Sequence, residues 1–311
     1  MHEALLPLEE LAPLRDPVLI AAFSGWGDMG GAAVATVDYL IEQWNARLIA
    51  EIDPQPFYDF TVQRPRVRLE GDERVTDWPA NRFYLAQPPG ADRDFVLLAG
   101  IEPSLRWRTF TEVVAELMRA VGATTSITLG AQPAAVPHTR PLPVTLSASD
   151  PSFEEQFSLK APASRYQGPT GIVGVMNLHH RSLHWRNASL WAMVPHYLTM
   201  GPSPHAAITL IKTLDHGFHT STALGPLDDR AEMFAVQVRE AMDQSADAEG
   251  YVRQLEEQYD SSPPEVPGAA QDPRAGGGEL PASEDLIGDL ERFLRERREP
   301  GDAQGPARPS T

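Results

Sequence analysis

Residues 25–30, which read Gly-Trp-Gly-Asp-Met-Gly, form the sharpest chemical motif in the chain. They match the G-x-G-x-x-G pattern of a dinucleotide site, and they stand between a strand pattern and a helical pattern, as such a site requires. Asp53, at the end of the next predicted strand, stands where a ribose-binding carboxylate would lie. Trp26, however, is bulky for close approach to a pyrophosphate, and Asp28 more naturally caps the helix. We therefore predict a structural turn that binds no cofactor, neither NAD nor ATP.

A second polar segment follows a buried strand pattern and contains Glu102, Arg106 and Trp107. Ligands of α/β sheets bind beyond the carboxyl ends of the strands, so these side chains would face the same crevice as the first motif. Arg and Trp are also common hot-spot residues at protein interfaces. In a purely structural alternative, Ser104 caps the next helix and Arg106 pairs with a nearby acid. The sequence leaves these alternatives open.

Histidines supply the remaining candidates. His138 follows a strand end and is a candidate general base, and His196 follows another strand. His180 and His184 have the i, i+4 spacing of a metal pair. Residue 181 is Arg, however, so the H-E-x-x-H zinc motif is absent and no third ligand is evident. We predict no metal site.

Composition narrows the classes of partner. The chain has 311 residues, with 26 basic and 43 acidic side chains and a net charge of −17, which argues against nucleic acid and anionic membrane surfaces as partners. There is no cysteine, which excludes disulfides and thiolate nucleophiles. The N-terminus lacks the basic region of a signal peptide, and no apolar run approaches the roughly 18–20 residues that span a bilayer. We expect a cytoplasmic protein.

Buried strand patterns alternate with helical patterns through residue 194, which predicts an α/β sheet covered on both faces. Acidic helices over 226–260 complete a predicted domain at 1–260. The predicted strands are 18–23, 48–52, 82–86, 94–99, 124–129, 143–147, 171–176 and 189–194, and the predicted helices are 29–44, 109–121, 206–214, 226–242 and 251–259.

Beyond that domain the pattern changes. Residues 261–281 are rich in proline and glycine, which predicts a flexible linker. Residues 282–299 predict an amphipathic helix, which Ser283 caps and whose apolar stripe must dock on its own domain or on a partner. Residues 300–311 are predicted to be disordered.

Four sequence blocks occur together in the order of a known family. They are Phe23-Ser-Gly-Trp-Gly-Asp28; Gly100-Ile-Glu-Pro with Leu105-Arg-Trp-Arg108; Pro137-His-Thr-Arg140; and Ser189-Leu-Trp-Ala with Val194-Pro-His-Tyr197. With these blocks the chain resembles the proteasome assembly chaperone 2 family, most of all its actinobacterial branch. The resemblance covers residues 1–260 approximately, and 285–298 also looks like the terminal helix of that branch.

The resemblance implies a three-layer α/β/α sandwich, related to phosphorylase- and hydrolase-like folds, with a C-terminal helical extension. It also implies self-association, with a trimer preferred. Eukaryotic and archaeal relatives assist assembly of the proteasome core particle or bind it, so proteasome components are the partners it implies. It assigns no catalytic residue. Relatives that bind the core particle through their tails end in hydrophobic-Tyr-X, whereas this sequence ends in Arg308-Pro-Ser-Thr311, so we expect no tail insertion.

Two functions follow as hypotheses. The leading one is a non-catalytic protein-binding protein and homo-oligomer, with tryptophans 107, 185 and 191 as interface anchors. The alternative is a ligand-binding protein or a hydrolase- or phosphorylase-like enzyme, with Glu102, His138 and Asp53 as acids and bases. An enzyme would gather several such groups around one cavity, whereas a scaffold would present an apolar surface patch. The candidate crevice residues are Trp26, Asp28, Asp53, Glu102, Arg106, Trp107, His138 and His196.

Overall fold

An eight-stranded mixed sheet organises the chain, in a computed structural model that describes residues 2–198, 201–242 and 246–261. Its strand order is β1-β3-β6-β7-β2-β8-β10-β9, and β4 and β5 form a separate two-stranded sheet. The strands are β1 (Leu5–Pro7), β2 (Val18–Ser24), β3 (Arg47–Ile52), β4 (Arg66–Glu70), β5 (Glu73–Asp77), β6 (Asn81–Ala86), β7 (Phe95–Ile101), β8 (Thr125–Ala134), β9 (Val144–Ala148) and β10 (Arg186–Pro195).

Seven α-helices accompany the strands within the described ranges. They are α1 (Ala32–Gln43), α2 (Trp107–Val121), α3 (Ser152–Phe157), α4 (Ile172–Ser182), α5 (Pro204–Phe218), α6 (Gly225–Met242) and α7 (Ala246–Ser261). A 3-10 turn at Met29–Gly31 precedes α1. None of the helices in these ranges is long and apolar enough to cross a membrane.

The centre of the large sheet is parallel and both of its flanks are antiparallel. β2 pairs in parallel with β7 and β8, and β10 pairs in parallel with β8. β6, β3 and β1 extend one flank and β9 closes the other, all through antiparallel pairs. The central strands are buried on both faces, which explains why β2 is apolar throughout rather than alternating.

Two hydrophobic cores lie on opposite faces of this sheet, so the molecule is a three-layer α/β/α sandwich, as the sequence predicts. In β2, the side chains of Val18, Ile20 and Ala22 enter one core, together with residues of α1 and α5. The intervening Leu19 and Phe23 enter the other core, with residues of α2 and α4. A third, smaller cluster joins α6 and α7 to the end of β10.

One predicted element is wrong in kind: residues 171–176 begin helix α4 and are not a strand. The buried side chains of α4 are Ile172, Val173, Met176 and His180. Counted from Ile172, the other three lie one, four and eight residues along, which is the spacing of a helix packed on a sheet. The pattern becomes visible only when the segment is extended beyond residue 176 to His180.

Three elements were not predicted, namely β1, α3 and the β4–β5 hairpin, which lies within a segment that looks like a polar connection. The predicted linker, C-terminal helix and disordered tail lie outside the described residues, apart from Ser261 at the end of α7.

Candidate functional site

A cavity of about 540 Å³ opens at the carboxyl ends of β2 and β8, beside the first turn of α4. Trp26 and Glu102 border it at the top, and Trp191 of β10 forms part of its floor. Asn177 and Arg181 of α4 complete one wall. This is the position at which α/β sheets bind ligands, because loops rather than further strands follow the strand ends there.

Glu102 joins two backbone segments at the mouth of this cavity. Its Oε1 accepts a hydrogen bond from Ile172 N at 2.8 Å, and its Oε2 accepts one from Trp26 N at 3.4 Å. Parallel pairing of β7 with β2 positions it, because Glu102 N donates to the carbonyl of Ser24. The carboxylate thus caps the N-terminus of α4, where a negative charge is stabilised by the helix dipole.

Glycines make room for the aromatic floor. A Cβ on Gly130 would lie 2.6 Å from ring atoms of Trp191, and a Cβ on Gly27 would lie 3.2 Å from the same ring. Gly25 has φ +138° and approaches Glu102, so a side chain there would be both strained and crowded. Gly25 and Gly27 of the motif therefore serve packing around Glu102 and Trp191.

Below the aromatic floor lies an uncharged network of hydrogen-bonding groups. Asn177 Nδ2 donates to Ser189 Oγ at 2.7 Å and to Thr128 Oγ1 at 3.1 Å. Asn177 Oδ1 has no partner among the described residues. Arg181 Nε donates to Asn187 Oδ1 at 3.2 Å. The cavity thus combines aromatic walls with an amide, a hydroxyl, the guanidinium of Arg181 and the carboxylate of Glu102.

Asp28 lies beneath the turn and does not line the cavity. Its Oδ1 accepts from Ala33 N at 2.7 Å and its Oδ2 from Val34 N at 3.3 Å, so the carboxylate caps α1. Burial raises the pKa of Asp28 to about 6, against the opposing effect of those two hydrogen bonds. The position that a pyrophosphate takes in a dinucleotide site is therefore occupied by a side chain.

Asp53 does not complete a dinucleotide site either. It follows β3, and β6 and β7 lie between β3 and β2 in the sheet. Its Oδ1 accepts from Gln55 N at 3.0 Å in a local turn. The prediction that Asp53 stands where a ribose-binding acid would lie is wrong, because β3 is not the neighbour of β2.

Arg106 and Trp107 also lie outside the lining of the cavity. Arg106 is exposed, adopts φ 52° and precedes α2, so it and not Ser104 occupies the position before the helix. Trp107 Nε1 donates to the carbonyl of Pro103, and its ring packs on the core. The neighbouring loop is fixed through Phe57 O, which accepts from Ser104 N at 2.9 Å.

His138 and His196 belong to a different place, under helix α7. His138 N donates to Tyr197 Oη at 2.9 Å, and the Nδ1 of the same histidine shares a hydrogen bond of 2.8 Å with that hydroxyl. His196 Nδ1 donates to the carbonyl of Ala134, which leaves Nε2 to accept from the Tyr251 hydroxyl at 3.2 Å. Burial lowers the pKa of His138 to about 4. Both ring nitrogens of His196 and the Nδ1 of His138 are engaged in hydrogen bonds, so these histidines serve the structure around α7.

Arg140, which follows His138 in the same block, anchors the outer side of α7. Its Nε and Nη2 donate to Asp260 at 2.9 and 2.7 Å, and its Nη1 donates to Glu256 at 3.3 Å. The Pro137-His-Thr-Arg140 block therefore attaches the acidic helix to the sheet. Sequence analysis did not assign this role, although the charge of Arg140 and the excess acid in α7 are its signal.

The pair His180 and His184 does not share a helical face, because α4 ends at Ser182 and His184 has φ 58°. His180 is buried, and its Nδ1 lies 2.8 Å from Ser126 Oγ. Across the described ranges, no group of three or more His, Cys, Asp or Glu side chains is arranged to hold a metal ion.

An enzyme would be expected to gather several of Trp26, Asp53, Glu102, His138 and His196 around one cavity, and only Trp26 and Glu102 line this one. The family blocks divide in the same way. Residues of the first block, Glu102 of the second block, and Ser189 and Trp191 line the cavity. The blocks Pro137-His-Thr-Arg140 and Val194-Pro-His-Tyr197 hold α7 instead.

Comparison with known proteins places these features in a family. The PAC2 family model matches residues 22–242. A PAC2 family protein from Streptomyces avermitilis is 37% identical, with a TM-score of 0.70 over 76% of this chain and 100% of that one. A proteasome-assembly chaperone homologue from Mycobacterium tuberculosis is also 37% identical, with a TM-score of 0.68 over 76% and 99%. A second M. tuberculosis protein, of unknown function, is 28% identical, with a TM-score of 0.74 over 84% and 90%. No curated protein matches the sequence.

Proposed function

The chain belongs to the PAC2 family, and from that premise we propose that it is a non-catalytic protein-binding protein of the cytoplasm that acts on proteasome components. The observation that carries the proposal is its 37% identity to a proteasome-assembly chaperone homologue that it matches along 99% of that chain. The separation of His138 and His196 from Glu102 supports a binding role over a catalytic one, because acid and base groups must converge on one substrate.

The rim of the cavity is the surface we assign to this role. Trp26 and Leu178 both line the cavity, and 60% and 63% of their surfaces are exposed. Exposed large apolar side chains beside a concave surface are typical of protein contacts, and Trp is the residue type most enriched among binding hot spots.

The test uses unassembled α-type and β-type proteasome subunits of the source organism, mixed with the full chain. We expect the chain to capture subunits and to change the rate at which core particles form, followed by native gel electrophoresis and peptide hydrolysis. Trp26→Ser and Leu178→Ser should weaken capture. Met233→Ser on α6 is the matched control, because Met233 is equally exposed, at 60%, and lies outside the cavity. No capture and an unchanged assembly rate would contradict the proposal.

A second function, binding of a small molecule in the cavity, is favoured by one observation. Asn177 Oδ1 is buried without a partner in the described residues, and a ligand that donates a hydrogen bond would satisfy it. Native mass spectrometry of the chain purified from its own cytoplasm should then show an added mass. That mass should be lost in Asn177→Leu and retained in Met233→Ser. An unmodified mass for the native chain would reject this second function.

Self-association remains part of the proposal, with a trimer preferred on the family resemblance, but its predicted anchors are unsuitable. Trp107, Trp185 and Trp191 all pack partly buried against the core beside α2 and α4. Trp185 also lies under the guanidinium of Arg119, 5.6 Å from its ring. A contact between copies must therefore use other exposed apolar residues.

A further inference from the structure

The β4–β5 hairpin is exposed to solvent, and no described residue covers its strands. Every residue of its two strands except Val75 is exposed, and Val67 and Leu69 expose 64% and 68% of their surfaces. Phe60 and Trp78 pack edge to face next to the hairpin, with ring centroids 4.9 Å apart. A lone two-stranded hairpin is marginally stable in water, so an ordered hairpin of this kind calls for an additional strand or surface.

The outer edge of β4 is available for such a strand. β4 pairs only with β5 in its two-stranded sheet, so the backbone N–H and C=O groups along its other edge lack partners within the described part of the chain. An exposed edge of this kind is a template for pairing with a further strand.

The sequence of β4 is complementary to itself when reversed. It reads Arg66-Val67-Arg68-Leu69-Glu70, so antiparallel pairing centred on Arg68 sets Arg66 opposite Glu70 of the other copy. The same register sets Val67 opposite Leu69, and two-fold symmetry repeats both pairs. Opposite charges and apolar side chains in directly opposed positions both stabilise a sheet. We propose that β4 pairs antiparallel with β4 of a second copy of this chain, which forms a four-stranded sheet across a two-fold axis.

The local ion pairs accommodate the centre of this contact. Two Arg68 side chains would face each other, but each is already held by its own chain, through Asp77 at 3.0 Å and Glu70 at 3.5 Å. At the hairpin tip, Glu70 is directly opposite Glu73, a like-charge pair that destabilises an isolated hairpin. Arg66 of the second copy would reach this acidic end and offset the repulsion.

The sequence of β5, at the other edge of the hairpin, is not complementary to itself in antiparallel pairing. If β5 paired with itself around Val75, Glu73 would oppose Asp77 twice, and Arg74 would oppose Thr76. Two like-charge pairs disfavour that arrangement. The charge pattern therefore selects the β4 edge, and because the contact is isologous it joins copies in pairs. It rests on the proposed self-association and not on the proteasome-directed role. A two-fold contact does not itself form the preferred trimer but joins two copies, which can belong to different trimers.

Because the chain contains no cysteine, one introduced thiol can test this register directly. Opposed residues of antiparallel strands have Cα atoms about 4.5–5.5 Å apart, which is within the range a disulfide bridges. We expect Arg68→Cys to form a covalent dimer under mild oxidation at micromolar protein concentration, as seen on a non-reducing gel. Val75→Cys, directly opposite on β5, is the matched control and should remain mostly uncrosslinked. Equal crosslinking of the two variants, or none in either, would overturn the proposal.

Charge reversal gives a second, independent measurement by sedimentation velocity. Arg66→Glu and Glu70→Arg should each weaken the dimer roughly tenfold, because each replaces two attractive pairs with two repulsive ones. The double variant restores both attractive pairs and should return to about the native affinity. A double variant no tighter than the singles would overturn the register. If crosslinking fails while sedimentation still shows an oligomer, the hairpin contact is rejected and the proposed self-association stands. If sedimentation shows only a monomer, both the hairpin contact and self-association are rejected.

Discussion

Asp28→Asn should remove a pH dependence of stability that originates in a single buried carboxyl group. Burial raises the pKa of Asp28 from 3.8 to about 6. The folded chain therefore holds a proton on Asp28 between about pH 4 and pH 6, whereas the unfolded chain does not. Stability contributed by this proton is present at low pH and is lost as the pH rises through 6. At 1.36 kcal/mol per pKa unit, the ionised form costs about 3 kcal/mol of unfolding free energy at pH 8.

Three histidines act in the opposite direction, His205 among them because burial lowers its pKa, so the native curve alone cannot isolate Asp28. Burial lowers the pKa of His138 and of His180 to about 4, from 6.5. The unfolded chain binds those protons between pH 4 and 6.5 and the folded chain does not, so stability gained from both rises with pH. The informative quantity is the difference in unfolding free energy between native and Asp28→Asn chains.

We expect that difference to change by about 2 kcal/mol between pH 4.5 and pH 8, in the direction that favours Asn at high pH, because the remainder of the 3 kcal/mol develops below pH 4.5. Asn retains an oxygen that can accept from Ala33 N, so the loss of the second cap bond adds only a constant offset. Urea unfolding followed by circular dichroism at four pH values measures it. A difference that stays constant across this range would refute the argument that burial dominates at Asp28.

Three further predictions concern the elements around the cavity and α7. Glu102→Ala should lower the unfolding free energy by about 1–3 kcal/mol, because it leaves the N–H of Ile172 without its partner. Glu102→Gln should lower it by less, and calorimetry of the two variants tests which is the more stable. Gly130→Ala should destabilise the chain by about 1–3 kcal/mol and change tryptophan fluorescence, because its Cβ would overlap the ring of Trp191; an unchanged emission spectrum would show that the ring does not pack there. Arg140→Met should accelerate amide hydrogen exchange throughout α7 while α1 stays protected, because the ion pairs with Glu256 and Asp260 are lost. Equal exchange rates in α7 of the native chain and of Arg140→Met would refute this role of Arg140.

Local signals allowed the sheet centre and the α1 cap to be predicted. The β2 segment, Val18–Ser24, is apolar on both faces, and only a central strand buries both faces. Asp28 stands directly before a helical pattern, and a carboxylate there has few competing roles. The start of α4 was misassigned because Ile-Val-Gly-Val-Met fits a buried strand as well as a helix, and the decisive contact, Glu102 to Ile172 N, links residues 70 positions apart.

The grouping of the candidate site residues could not be derived from the sequence, because it depends on strand order. Asp53 ends a strand that follows β2 in the chain, yet two strands lie between them in the sheet. His138 and His196 follow strands β8 and β10, which are neighbours, but both side chains turn toward α7 through Tyr197 and Tyr251. The sequence identifies each of these residues as polar and near a strand end. Only the fold decides whether the side chain lies near the cavity or contacts α7.

The two carboxylates near the cavity determine what kind of ligand this edge of the sheet can take. In many α/β proteins, helix N-termini at the carboxyl edge bind phosphate, because their free N–H groups and dipole favour an anion. Here Asp28 fills that position at α1 and Glu102 fills it at α4. A phosphate would have to displace a resident negative charge at either helix. The G-x-G-x-x-G turn has the sequence of a nucleotide site but presents no open N-terminus, whereas the exposed indole of Trp26 remains free to make contacts. In the described residues, the N-termini of α1 and α4 are therefore both closed to an anion, which is consistent with the protein-binding role that we propose for the rim around Trp26.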